Sequence, residues 1–212
     1  LDGALGALKE LMNAPDGANS VLQMEGALGS LASLLTLGET RVLSKAVHIL
    51  TCLVVCSEEP LVEAAVRKVA RTPRAGGTGG LGGVPSLGAL LVGLLHKEID
   101  SGTACQVLTL MNTLIACSPS SDDLVGEISA SNLDDGLATL EPLIGELSEE
   151  LRMQVIAISH ISIGPPQHLP CHLRSISPAT SPDLLRLSFA LWSYAPGLLI
   201  DHHVPCTMYH AP

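Results

Sequence analysis

Thr103-Ala-Cys-Gln-Val-Leu-Thr-Leu-Met-Asn-Thr-Leu-Ile-Ala-Cys117 is the stretch whose reading decides the fold. Fifteen consecutive residues here include no charged side chain, no glycine and no proline. Ala104, Val107, Leu108, Met111, Leu114 and Ile115 recur at helical spacing and fall on one broad face. A helix this apolar has to be covered on most sides, so other helices must stack around it. Its polar residues form a narrow uncharged stripe: Gln106, Thr109, Asn112 and Thr113. Two readings of the stripe stand side by side. It is the open side of a protein-binding groove, or it hydrogen-bonds within the core.

Outward from this helix the chain keeps the same character. Leu5, Leu8, Leu11 and Met12 share a face between Gly3 and Asn13, and Pro15-Asp16-Gly17 makes a turn. Short helices are expected over Ala18–Met24 and Gly26–Leu35. Thr40 to Cys56 resembles the central stretch, with a polar stripe of Arg41, Lys45 and His48. Ser57 is expected to cap a helix that takes Glu58-Glu59-Pro60 in its first turn and ends near Arg71. Thr72 to Pro85, with six glycines, reads as a loop. Ser86 caps a helix to His96, and Lys97 to Ser101 turns into the central helix. Later helices are expected over Asp122–Ala130, Asp134–Leu147 and from the Ser148 cap to about Ile161. The carboxylate pairs Asp122-Asp123, Asp134-Asp135 and Glu149-Glu150 each open a helix, where negative charge favours the dipole. Helix pairs thus recur at roughly 35 to 45 residues, the period of armadillo and HEAT arrays. The fold class expected is all-α, an armadillo/HEAT-like right-handed solenoid.

Composition bounds the function. The 212 residues are 47% apolar and 15% charged, the proportions of a globular chain. Net charge is −10, set by nine basic and nineteen acidic residues in the first 163. A nucleic-acid footprint needs the opposite sign. Four of the six cysteines, Cys52, Cys56, Cys105 and Cys117, sit in apolar helical stretches as small hydrophobes, which fits a reduced, cytoplasmic setting. There is no signal peptide and no run long enough to span a membrane. The chain opens at Leu1 with a helix already under way, as expected of a fragment. Beyond Gly164 the character shifts: eight of fourteen prolines and all four aromatics lie there or later. The expected division is into two domains, an array over 1–163 and a proline-rich, poorly ordered tail over 164–212.

Gly77-Thr78-Gly79-Gly80-Leu81-Gly82 matches G-x-G-x-x-G, but a helix rather than a strand precedes it, so a linker is the stronger reading. Cys171 with His168 and His172, or Cys206 with His202, His203 and His210, fits no recognised zinc spacing. A metal-dependent enzyme built on them is the weakest of the functions considered. His48 and His96 lack a converging nucleophile and acid. No catalytic residue, cofactor or metal is expected.

Several motifs together resemble the FH3 armadillo region of diaphanous-related formins. Leu8-Lys9-Glu10-Leu11-Met12-Asn13, with Gly17 and Val21-Leu22 after it, is similar to the family's opening helix and turn. Thr40-Arg41 through Cys52-Leu53-Val54 resembles its leucine-rich helix. Cys105-Gln106-Val107-Leu108-Thr109-Leu110-Met111-Asn112-Thr113-Leu114 resembles the family's "C-x-Q-L-I-N-A-L" helix, and Ser118-Pro119 with Asp122-Asp123-Leu124 resembles the segment after that helix. Asn132-Leu133-Asp134-Asp135 and Leu151 to Val155 complete an ordered set over about residues 5 to 157. The chain is several residues short between Leu124 and Asn132, and the glycine-rich loop stands in place of a charged helical segment. The resemblance implies a regulatory domain that binds a Rho-family small GTPase and the formin's own amphipathic autoregulatory helix. Actin would be reached only through an FH2 domain, which is absent from this sequence, and the setting would be the cytoplasm and cytoskeleton. The alternative function is an armadillo-type adaptor with unrelated partners.

Overall fold

The computed structural model describes residues 1–14, 16–37, 39–57, 59–72, 86–97, 99–140 and 153–158. Contacts divide the chain into two units, Leu1–Ala179 and Thr180–Pro212, and every described residue belongs to the first. Among the described residues, nine helices come in order: α1 (Asp2–Met12), α2 (Gly17–Gln23), α3 (Ala27–Leu34), α4 (Thr40–Cys56), α5 (Leu61–Arg71), α6 (Leu87–Leu95), α7 (Ser101–Cys117), α8 (Ser121–Ser129) and α9 (Leu133–Ala138). Residues 153–158 add a short helical stretch, α10. Among the described residues there is no strand, so the all-α expectation holds.

The core is aliphatic. α4 packs on both α1 and α7, and its contact with α7 is the most extensive between any two helices. Leu43, Ile49, Leu50 and Leu53 from α4 and Leu108, Leu110 and Met111 from α7 are fully enclosed. Among the described residues there is no aromatic side chain, and their close packing relies on branched and unbranched aliphatics interdigitating. A second group of helices covers this pair: α3 lies against α5, and α6 lies against α8 and α9. α6 buries one broad face through Leu87, Leu91, Val92, Leu94 and Leu95 and leaves Ala89 and Gly93 exposed on the other.

Two glycines set how closely helices approach. A Cβ on Gly88 of α6 would fall under 3.0 Å from the backbone of Glu127 and Ile128 in α8. Gly17 sits under the end of α1, where a Cβ would strike the Leu11 carbonyl; Asp16 before it takes the left-handed conformation at φ 61. The turn expected at Pro15-Asp16-Gly17 therefore forms around Asp16 and Gly17, with Pro15 outside the described residues.

A charged clasp ties three helices. Arg67 Nε of α5 donates to Glu63 Oε1 at 2.8 Å, and Arg67 Nη1 donates to Glu127 of α8. Glu127 Oε2 in turn accepts from the Gly88 amide of α6 at 3.2 Å. Burial by itself would push the Glu127 carboxyl up. The Arg67 guanidinium and the Gly88 amide outweigh it and hold the group below the usual carboxylate range.

Helix ends follow local chemistry, with two corrections to the sequence reading. Ser86 caps α6 as expected, its Oγ accepting from the Ala89 amide at 3.0 Å. Ser57 does not cap α5. It terminates α4, its hydroxyl donates to the Glu59 carbonyl, and α5 begins at Leu61 with Pro60 before it. The central helix starts at Ser101, the last residue of the turn expected over Lys97 to Ser101. Asp100 caps it through the Thr103 amide at 2.8 Å and hydroxyl at 3.0 Å. Asp122 and Asp123, and Asp134 and Asp135, lie in the first turns of α8 and α9, as the dipole argument expects. The glycine-rich loop with its G-x-G-x-x-G match, the Ser148 cap with Glu149-Glu150, and the tail with its histidines and cysteines lie outside the described residues.

Candidate protein-binding face

The structure divides the expected groove stripe in two. Asn112 and Thr113 are 2% and 4% exposed, so they belong to the interior. Asn112 Nδ2 donates to the Gln154 side chain at 2.8 Å and to its carbonyl at 3.2 Å, joining α7 to α10. Thr113 donates to the Thr109 carbonyl one turn back at 2.7 Å. For these two, hydrogen bonding within the core is the reading that holds. Gln106 and Thr109 are half-buried. Thr109 donates to the Cys105 carbonyl at 2.8 Å, and Gln106 Oε1 accepts from Ser44 of α4 at 2.6 Å.

Gln106 thus sits beside α4, with Thr109 one turn further along α7, and an accessible face runs across α1, α4 and α7. On α4 it follows one helical row: Arg41 exposed, Lys45, His48 and Cys52 half-buried, Cys56 exposed. Lys45 pairs with Asp2 of α1 at 2.6 Å. The hydrogen bond from Lys45 holds the Asp2 carboxyl below its ordinary value. Burial pushes His48 down, and the Lys9 charge of α1 adds to the effect, which places Lys9 near this row. In a chain of net charge −10, the face bears Lys9, Arg41 and Lys45 against Asp2. The sequence signal for the α4 half is the Arg41, Lys45, His48 stripe itself. It carries no assignment on its own, because nothing local shows that α4 and α7 lie side by side.

The chemistry of the face suits recognition. Cys52 Sγ lies 4.0 Å from His48 Nε2 at i,i+4 spacing, the one place where a thiol and an imidazole meet among the described residues. Burial pushes the Cys52 thiol up and the His48 imidazole down, so both are neutral near pH 7. A thiolate–imidazolium pair, the reactive form of such a couple, is disfavoured by this environment. Cys56 and Cys117 are likewise pushed up by burial. Among the described residues, no group of three or more histidines, cysteines and carboxylates is placed to hold a metal ion. No described helix is long and apolar enough to cross a membrane. Comparison of the chain with protein-family models, curated proteins and solved structures finds no significant match.

Proposed function

We propose that this chain is a regulatory protein-binding domain of a formin-like actin regulator, an armadillo-type right-handed solenoid that docks an amphipathic helix. In this reading the helix is the formin's own autoregulatory segment, and a Rho-family small GTPase is a second partner of the domain. The protein would act in the cytoplasm on the actin cytoskeleton, through an FH2 domain elsewhere in the full-length product. The observation that supports it most is the layer α1–α4–α7–α10. Each neighbouring pair is joined by a side-chain bridge: Asp2 to Lys45, Ser44 to Gln106, Asn112 to Gln154. Stacking of successive equivalent helices is how a solenoid buries its core, and its exposed row offers a partner helix a continuous track. The ordered motifs over residues 5 to 157 add the identity of the partner.

Thr109→Asp tests the reading. It places an unpaired carboxylate beside Gln106, where the partner's apolar side chains would arrive, and should weaken binding by roughly 1–3 kcal/mol. Titration of a fluorescent formin autoregulatory peptide into wild type and variant, with urea melts of both, reads the two effects separately. Wild type that does not bind the peptide sinks the proposal. A folded variant that binds as tightly as wild type moves the docking face away from α7.

A further inference from the structure

The two flanks of the accessible row on α4 differ in charge. On the α7 side stands Gln106, with Thr109 one turn further along, and α7 has no charged residue anywhere in its length. On the α1 side stand Asp2 and Lys9, two turns apart and so on one side of α1. Lys45 pairs with Asp2 at 2.6 Å, and the Arg41 charge, more weakly than that pairing, also favours the ionised Asp2 carboxyl. Lys9 is exposed, and behind the larger effect of burial its charge is felt at both His48 and Cys52. Glu10 lies about 100° around α1 from Lys9 and further from the buried Leu5, and Glu39 stands before the first turn of α4.

On this flank Lys9, Arg41 and Lys45 face Asp2, and Lys45 already holds that carboxylate. Among the described residues, neither the Lys9 ammonium nor the Arg41 guanidinium has an ion pair or hydrogen bond. The whole chain carries −10, so an acidic partner is repelled at long range and gains where cations are gathered. A basic partner would be drawn elsewhere on the surface and repelled here. We propose that the helix received by this face is acidic along one flank: aspartate or glutamate side chains three or four residues apart lie over Arg41, Lys45 and Lys9, and the opposite flank, toward Gln106 and Thr109, is uncharged. The inference rests on the docking reading of this face and adds the partner's charge to it. From Arg41 to Cys56 the row offers a partner helix roughly four turns of contact.

The test titrates the full chain with three fluorescent synthetic amphipathic helices that share one leucine face and differ along one flank, which carries glutamate, glutamine or lysine. The glutamate peptide should bind roughly fivefold or more tighter than the glutamine peptide, as a few exposed ion pairs together allow, and the lysine peptide more weakly than either. Its advantage should shrink as salt rises from about 0.05 to 0.5 M. Lys9→Gln combined with Arg41→Gln should erase the preference for glutamate over glutamine; both positions are exposed, so the fold is retained. Lys68→Gln combined with Arg71→Gln, at exposed positions in the last turn of α5, changes the net charge equally and should leave the preference in place. Glutamine binding as tightly as glutamate, or a preference that survives loss of Lys9 and Arg41, overturns the inference while the docking face stands. So does a preference lost equally in the Lys68 and Arg71 variant. If none of the three peptides binds, the inference falls, and the formin peptide decides separately whether the face docks a helix at all.

Discussion

Helices α4 and α7 are both seventeen residues long and pack on one another, yet they handle polar side chains in opposite ways. α4 puts Arg41, Lys45 and His48 on its accessible row and encloses one polar residue, Thr51, whose hydroxyl returns to the Val47 carbonyl. α7 has no charged residue at all and encloses Thr103, Asn112 and Thr113. The difference arises from what covers each helix. A threonine can be buried within a helix, because the carbonyl four residues back accepts its proton, as for Thr51 and Thr113; Thr103, in the first turn, uses the Asp100 carboxylate instead. An asparagine cannot satisfy itself that way, so Asn112 needs the facing amide of Gln154. α4 faces the lightly packed α1, where Leu5 is the one buried residue, and charged side chains can reach water there. Enclosed polar groups on α7 therefore mark where the stack continues, and charged ones on α4 mark where it opens.

The largest expected effect separates the centre of the stack from its margin. Met111 is fully enclosed on α7, whereas Leu11 on α1 is 45% exposed. Met111→Ala should cost about 2–5 kcal/mol through lost burial and the cavity left behind. Leu11→Ala should stay within about 0.5 kcal/mol of wild type. Urea unfolding of the full chain measures both. Similar losses in the two variants would mean that α1 is as integral to the core as α7, and the contrast between margin and centre would fail.

A smaller effect tests the buried amide pair. Asn112→Ala removes the donor to Gln154, but it also removes Asn112 Oδ1, which is buried with no partner. Part of the cost is thereby returned, and a net loss of about 1 kcal/mol is expected, the lower end for a buried polar partner. Combined with Gln154→Ala in a double-mutant cycle, the coupling should be clearly non-zero. Additive losses would show that the bridge from α7 to α10 contributes nothing to holding them together.

How much of the fold and of the face is legible in the sequence depends on how far each determinant reaches along the chain. α7 can be read because its signal, apolar spacing without a breaker, is contained within it. So can the Ser86 cap, three residues from the amide it serves. Asp100 escapes notice because Lys97 to Ser101 reads as a turn and Gly102 follows it. In a first turn, though, the amides have no intrahelical partner, and glycine there forfeits little. Ser57 is misleading because Pro60 is compatible both with a helix's first residues and with the turn before them. The split of the stripe cannot be read at all. Asn112 and Thr109 are three residues apart on one helix, and what distinguishes them is Gln154, 42 residues further on. For the same reason the Arg41–His48 row and Gln106 become one face only through the reach of Ser44 to Gln106.

The smallest expected effect concerns the open side, and pH reads it. Burial first, and then Lys9, hold the His48 imidazole below its ordinary value in the folded chain. The unfolded chain takes up its proton at about pH 6.5, before the native chain does. The native state is thus favoured above that pH, and this contribution is lost as pH falls through the folded-state value. The carboxylates held low by their partners, Asp2, Asp100 and Glu127, lose their contributions in a separate window, below about pH 4. His48→Gln keeps a polar group on the row and removes the titration. Urea midpoints of wild type and variant at pH 7.5 and 5.5 should therefore converge or cross, wild type falling more steeply on acidification. Other histidines contribute equally to both proteins, so the difference in slope belongs to His48. Parallel slopes would mean that His48 is as well hydrated in the native chain as in the unfolded one. The row on α4 would then be more open than its packing against α1 implies, and docking there would bury more new surface than Lys9 and Lys45 now cover.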